Sequence, residues 1–418
     1  MKKASTLKRS LGVVLTVLLM LTWFSPMQQA LRTLPDSITL TQGQVSVLAL
    51  GGLTASASDS LTVTASQDET LAQVGAVTVL AQSPGKGELL LSLFGIPLRR
   101  VEVEVSPDKR LIPGGQALGV AMRTEGVLIV GLSDTAQGVC PARDGGLQAG
   151  DVILAVGGEA VADTEALTQL VNAAGGQPLA IAFSRDGQAH TTTLTPHVDA
   201  ATGAVRIGAW VRDSTAGVGT LSFYDPDTGR YAALGHAITD GDTGAVLSVG
   251  EGQVLRASIV AVQRGQSGAP GELKGSFLRE KETLGDIRRN TILGIYGTMD
   301  EPAENPLYPD GLPIGLRDTV HTGAATILAT VDGGGIAEYA VEIVRVNPQS
   351  SPAPKSMVIR VTDERLLEKT GGIVQGMSGS PIIQDGKIIG AVTHVFVGDP
   401  TQGYGLYVDW MLQEAGAI

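Results

Sequence analysis

At 418 residues the chain exceeds what one hydrophobic core fills, so two or three domains are expected. Its 42 acidic against 30 basic residues leave a net charge of −12, which repels phosphate backbones and speaks against nucleic-acid binding. The single cysteine, Cys140, excludes an intrachain disulfide and a cysteine-rich metal site, while 55 glycines and only 4% aromatic residues favour many short strands and tight turns.

In sequence order, Lys2, Lys3, Lys8 and Arg9 precede an apolar run from Leu11 to Phe24. A charged region followed by an apolar one reads as an export segment over residues 1–35. The small residues of a cleavage site are absent near Gln28, Gln29 and Ala30, so the segment is either a removed signal peptide or a retained membrane anchor. The basic flank would stay in the cytoplasm and the rest would be exported. Residues 36–106 alternate apolar and polar positions, as in "SLTVTAS" and "RRVEVEVSP", which predicts a small β domain. It contains no histidine, no cysteine and no clustered carboxylates, so spacing or protein contact is its expected role.

Residues 107–195 change character. "GLQAGDVILAVGGEAV" reads as turn, strand, tight Gly-Gly turn and strand. Asp163 and Thr164 then cap a helix with apolar positions Leu167, Leu170 and Val171. This stretch resembles a PDZ domain, with "ALGV" at 117–120 in the place of the carboxylate-binding loop. The resemblance implies that backbone N–H groups near Leu118 and Gly119 capture the C-terminus of a peptide, or that the module is regulatory without a peptide ligand. A linker follows, and residues 205–418 alternate short apolar runs with Gly, Pro and Asp turns. That pattern predicts an all-β barrel pair or sandwich with two short helices, "DERLLEKT" and "DWMLQEA".

Five histidines limit the search for a general base: His190, His197, His236, His321 and His394. Serine chemistry needs a hydroxyl, an imidazole, an orienting carboxylate and donors for the oxyanion. In "GMSGSP" Gly376 and Ser378 can both aim an N–H at an oxyanion, and an apolar hairpin with a Gln-Asp-Gly turn follows. "GQSGAP" at 265–270 repeats the letters around Ser267, but a charged glycine-rich stretch follows it, which is poor support for a nucleophile. Ser378 is therefore the expected nucleophile. His236, in "LGHAITD", lies where a short apolar strand ends. The carboxylate is not singled out by pattern, because Asp240, Asp242, Asp286, Asp318, Asp332 and Asp363 are all available. Asp363 at the end of "SMVIRVTD" is equally suited to capping the helix that follows.

"GMSGSPIIQDGKIIGAVTHV" resembles the nucleophile region of chymotrypsin-fold serine peptidases. Together with "LGHAITD", the PDZ-like unit and the export segment, the chain resembles the sporulation stage IV protein B peptidases over essentially its whole length. That resemblance implies a mainly β protein with an N-terminal export or anchor helix, a small β domain, a PDZ-like domain and a chymotrypsin-like double β-barrel. It implies His236 as general base, Asp363 as orienting carboxylate and Ser378 as nucleophile, with Gly376 and Ser378 forming the oxyanion hole. Thr393, His394, Gly403 and Gly405 would border the substrate pocket. No cofactor or metal is expected. The activity implied is a self-cleaving serine endopeptidase that cuts a membrane-bound sporulation regulator between the forespore and mother-cell membranes. A general envelope quality-control protease and a catalytically inactive PDZ scaffold are the alternatives.

Overall fold

A computed structural model describes residues 26–417 apart from 59–60, 66–74, 84, 107, 136, 200–201 and 278–282. The export segment expected over residues 1–35 therefore lies outside the described residues as far as residue 25. Among the described residues no helix is long and apolar enough to cross a membrane. The fold is mainly β and divides into two compact units.

One unit comprises residues up to 109 together with 316–319. After the helix Pro26–Thr33 it contains a four-stranded sheet in the order Ser37–Thr41, Ile96–Ser106, Gly85–Leu93, Thr54–Ala57. A three-stranded sheet has the order Val45–Ala49, Ala76–Ala81, Leu61–Ala65. The expected alternation is real: Leu89, Leu91, Val101, Val103 and Val105 point inward and are buried, joined by Leu50 and Val79.

The other unit, residues 110–315 and 320–417, is organised around a ribbon of two long strands. Ala117–Leu132 and Ala209–Tyr224 pair antiparallel from Ala117↔Thr220 to Leu132↔Ala209. At one end the ribbon belongs to a barrel. Ala117–Leu132 pairs on its other edge with Glu251–Arg256, and that strand pairs with Thr283–Asp286. Ala209–Tyr224 pairs with Arg230–Ala233, which pairs with Gly294–Thr298. The bridge Gly285↔Met299 joins the two ends. Leu118, Val120, Leu221, Tyr231, Val254 and Ile295 fill this barrel, and burial of each large apolar group stabilises it by about 1.5–3 kcal/mol.

At its other end the ribbon pairs with Val152–Val156, followed outward by Leu179–Arg185 and Gln188–Leu194. The helix Thr164–Ala174 completes the PDZ-like module. Asp163 is its N-cap, accepting from the Ala166 N–H at 2.8 Å, and Gly175 ends it at φ +57°. Leu167 and Val171 are buried against Val127, Ile129, Ile153 and Ile181, with Leu170 at the margin, as the sequence pattern predicts. Gly126 (φ +82°) and a register shift between Arg212 and Ser214 mark where the ribbon passes from the barrel into the PDZ-like module.

This topology corrects one expectation. Residues 110–123, read as the start of the PDZ-like domain, lie in the barrel. Leu118 and Gly119 pair with Gly219 and Val218 on one side and with Arg256 and Leu255 on the other. Both edges of the strand are occupied, Leu118 is fully buried, and a side chain at 119 would meet the Phe277 ring. These residues do not form a carboxylate-binding loop.

Residues 323–407 form a second, closed barrel of six strands: Gly323–Ala329, Ala337–Val346, Met357–Val361, Asp399–Tyr407, Lys387–Phe396 and Pro381–Gln384. The last two make the expected hairpin, with Asp385 (φ +51°) and Gly386 (φ +72°) as its two-residue turn. The predicted helices form at Glu364–Thr370 and Val408–Ala415.

Candidate active site

The loop after Arg230–Ala233 makes an abrupt turn. Leu234 has φ +69°, an uncommon conformation for a branched residue, and Gly235 follows at φ +68°. A side chain at 235 would press on Thr393 and on the Val392 carbonyl of the second barrel. The glycine thus lets His236 sit close to the strand Lys387–Phe396. The His236 Nδ1 lies 2.8 Å from the carbonyl of Ala237. Partial burial pushes its pKa below the usual histidine value, and the Ala237 carbonyl opposes this.

Ser378 comes from the second barrel, on a turn with Gly376 at φ +96° and Gly379 at φ +98°. A side chain at 379 would collide with the Thr220 carbonyl and the Leu234 N–H, so this glycine serves the close approach of the two barrels. Thr220, which the sequence did not mark, staples them. Its N–H donates to the Ser378 carbonyl at 3.0 Å and its hydroxyl to the Gly376 carbonyl at 2.7 Å.

Ser378 and His236 line the same cleft, of about 790 Å³, together with Gly376, Thr393 and His394. The Ser378 hydroxyl donates to the Thr393 carbonyl at 2.7 Å. Around it, the N–H groups of Met377, Gly379 and Ser380 are bonded to Val374, Val392 and Met377. Among the described residues, the N–H groups of Gly376 and Ser378 have no hydrogen-bond partner. These are the two donors expected for an oxyanion.

The His394 ring is tilted against that of His236, centroid to centroid 5.1 Å. Partial desolvation in the cleft, with His236 and Lys355 as further positive neighbours, lowers its pKa to about 4. Burial thus favours the neutral form of both imidazoles. The ladder between Lys387–Phe396 and Asp399–Tyr407 is interrupted between Val392 and Val395, so Thr393 and His394 fall in a gap of the pairing. That location is compatible with the pocket role expected of them. Gly403 and Gly405 are not on the cleft surface. Gly403 lies behind it, where a side chain would strike Ile373 and the His394 carbonyl, and Gly405 faces Ile382 and Met357 in the barrel interior.

Asp363 is elsewhere. Its carboxylate caps Glu364–Thr370, accepting from the N–H groups of Arg365 and Leu366, and also from the Ala340 N–H and the Arg365 guanidinium at 2.8 Å. The Arg365 bonds hold its pKa down at about 2. It does not line the cleft, and among the described residues no carboxylate is hydrogen-bonded to His236. The local role weighed for it, helix capping, is the one displayed; the orienting role is not.

Ser267 sits on an exposed turn, its hydroxyl donating to the Gly398 carbonyl at 2.8 Å. The neighbouring residues Gly271–Leu273 pair with Gln375, just before the nucleophile turn. The repeated letters thus build a support for the cleft wall. Of the remaining histidines, His190 stacks on Phe183, His197 contacts Gln137 and His321 pairs with Asp385, none of them on the cleft.

The SpoIVB peptidase S55 family model matches residues 203–412, just over half of the sequence, and a PDZ domain model matches residues 138–185. Among curated proteins the sequence has no match. Of solved structures, the PDZ domain of the SdrC-like protein from Listeria monocytogenes is similar at 21% identity, covering 21% of this protein and 87% of that one, with a TM-score of 0.18. The active form of the Rv3671c protease from M. tuberculosis is similar at 16% identity, covering 49% and 74%, with a TM-score of 0.26. The HtrA-type protease AlgW with tripeptide is similar at 15% identity, covering 49% and 56%, with a TM-score of 0.27. With its two barrels, the cleft that holds Ser378 and His236, and the family match, the chain belongs to the SpoIVB peptidase S55 family and is a serine peptidase with a PDZ domain.

Proposed function

We propose that the protein hydrolyses peptide bonds through an acyl-enzyme, with Ser378 as nucleophile and His236 as general base. The Ser378 hydroxyl rotates from the Thr393 carbonyl to His236, which takes its proton as Oγ attacks the scissile carbonyl. The N–H groups of Gly376 and Ser378 hold the oxyanion, and His236 returns the proton to the leaving amine. Water then repeats the sequence to release the acyl group. The observation that carries this reading is the pair of unpartnered N–H groups flanking the hydroxyl in the cleft that also contains His236. Among the described residues no carboxylate is hydrogen-bonded to the imidazole, so this mechanism uses Ser378 and His236 as a dyad.

The family match and the export-like N-terminus support a narrower role: self-cleavage, then cleavage of a membrane-bound sporulation regulator, after export into the space between forespore and mother-cell membranes. The PDZ-like module would restrict this activity by holding the C-terminus of a peptide. Residues 209–213 offer it a place. Over this stretch the strand is paired on one edge only among the described residues, beside the helix Thr164–Ala174, with Trp210 66% exposed. The deciding experiment compares Ser378→Ala with Ser267→Ala in the exported part of the protein. The first is expected to abolish fluorophosphonate labelling and self-cleavage, and the second to leave labelling intact. Labelling that persists in Ser378→Ala would overturn the assignment, and a wild-type protein that never labels would favour an inactive scaffold.

A further inference from the structure

The imidazole of His236 has no side-chain hydrogen-bond partner in the described residues; its one hydrogen bond goes to the backbone of the next residue. Its position therefore depends on what fixes the backbone just beyond it. One side chain does so. Asn290, on the short strand Arg289–Thr291, accepts from the Ile238 N–H with Oδ1 at 2.8 Å and donates through Nδ2 to the carbonyls of Ile238 and Leu247, both at 2.8 Å.

Ile238 and Leu247 are the base of a small hairpin. The Leu247 N–H donates to the Ile238 carbonyl, Thr239 bridges Val246, and the Asp240 N–H donates to the Ala245 carbonyl. At the tip, Asp240 accepts from Thr243 and is paired with Arg212. The hairpin so closed carries His236 at its root and supplies Thr239 and Val246 to the cleft wall. Asn290 holds the base of this hairpin to the first barrel, since its strand pairs with Gly294–Thr298 at Asn290↔Ile295, while Arg212 and the burial of Leu247 against Met122 and Leu128 hold the rest.

We propose that Asn290 is the positioning residue for His236, doing through the backbone what a carboxylate on the ring does in a triad. The amide is suited to this in a way a carboxylate is not. It meets an N–H and two carbonyls at once, and a carboxylate has no donor for the carbonyls. Losing the clasp frees the segment Ala237–Ile238 and lets the imidazole drift from the Ser378 hydroxyl. A displacement of that kind costs on the order of 10²-fold in rate while leaving the substrate-binding surfaces in place.

This inference rests on the Ser378–His236 reading, and the experiment keeps the two apart. In the exported protein, Asn290→Ala is compared with wild type for steady-state peptide cleavage and fluorophosphonate labelling, at temperatures well below both melting points. The expected result is a fall in kcat and in labelling rate of at least tenfold with KM within about twofold, as for loss of an interaction made in the transition state. Asn290→Asp keeps the acceptor for Ile238 but turns an oxygen toward the carbonyls of Ile238 and Leu247, so it is expected to be no more active than Asn290→Ala. In a Ser378→Ala background, Asn290→Ala should also move the His236 ring resonances. A folded Asn290→Ala protein with normal kcat, or one whose deficit vanishes on cooling, overturns the proposal. Failure of Ser378→Ala to abolish labelling would instead remove the catalytic reading beneath it.

Discussion

The ionisation of His236 separates a dyad from a triad. A carboxylate on the ring would raise its pKa, whereas burial without one lowers it. The base works when neutral, so the acid limb of kcat/KM is expected to have its midpoint below the ordinary histidine value of about 6.5. A midpoint above it would indicate an anionic partner. Stability follows the same sign. Below about pH 6.5 the unfolded state takes up a proton that the folded His236 resists, so this residue costs stability as pH falls through that range. Asp363 gives the complementary test. Asn caps helices about as well as Asp, so Asp363→Asn is expected to label near the wild-type rate, whereas loss of a true orienting carboxylate costs about 10⁴. Such a loss would return Asp363 to the triad. At this scale the sequence was partly legible. Ser378 could be chosen over Ser267 because an apolar hairpin follows it. Thr220 and Asn290 could not be chosen, because each acts through hydrogen bonds to residues 156 and up to 52 positions away, and no local pattern records such pairings.

Among the elements, the ribbon of Ala117–Leu132 and Ala209–Tyr224 was the least legible. Each strand was readable as apolar and extended, but "ALGV" has the letters of a ligand loop and the pairing of a central strand. Local composition does not say which partner a strand takes, and the partners here lie about a hundred residues apart. The helix Thr164–Ala174 was readable because its caps and apolar period are local. If residues 209–213 are the peptide edge, a C-terminal peptide bound there adds as an antiparallel strand, with its carboxylate recognised at one end. The protein is therefore expected to select peptides with a free C-terminus from a random pool and to lose them on C-terminal amidation. Equal binding of amidated peptides would exclude carboxylate capture.

For the whole molecule, the contrast is between surface and cleft. The protein has a net charge of −12, yet among the described residues the cleft wall includes no Asp, Glu, Lys or Arg. Ile373, Val374, Val395 and Val397 dominate the side near the nucleophile turn. Burying a charged group against such a wall without a partner is unfavourable. In a panel of peptides varied at the residue before the scissile bond, kcat/KM is expected to favour aliphatic residues over Lys and Glu by well over tenfold. Preference for a charged residue would mean that a group outside this wall reads the substrate.

The PDZ-like module interrupts the first barrel instead of preceding it. It is entered and left on two strands already hydrogen-bonded to each other, so it is joined like a lever on a stiff arm rather than a bead on a string. This bears on how the enzyme is made. Ala117–Arg123 cannot find Ser214–Thr220 until everything between them has been synthesised, and loop closure over that span is entropically costly. If the intervening module folds first, it brings the two ends together in advance. Thr220, the staple to the nucleophile turn, lies just past that junction. A molecule whose PDZ-like region has not folded would then lack a finished first barrel and a supported Ser378, so the module would govern maturation before it governs any substrate.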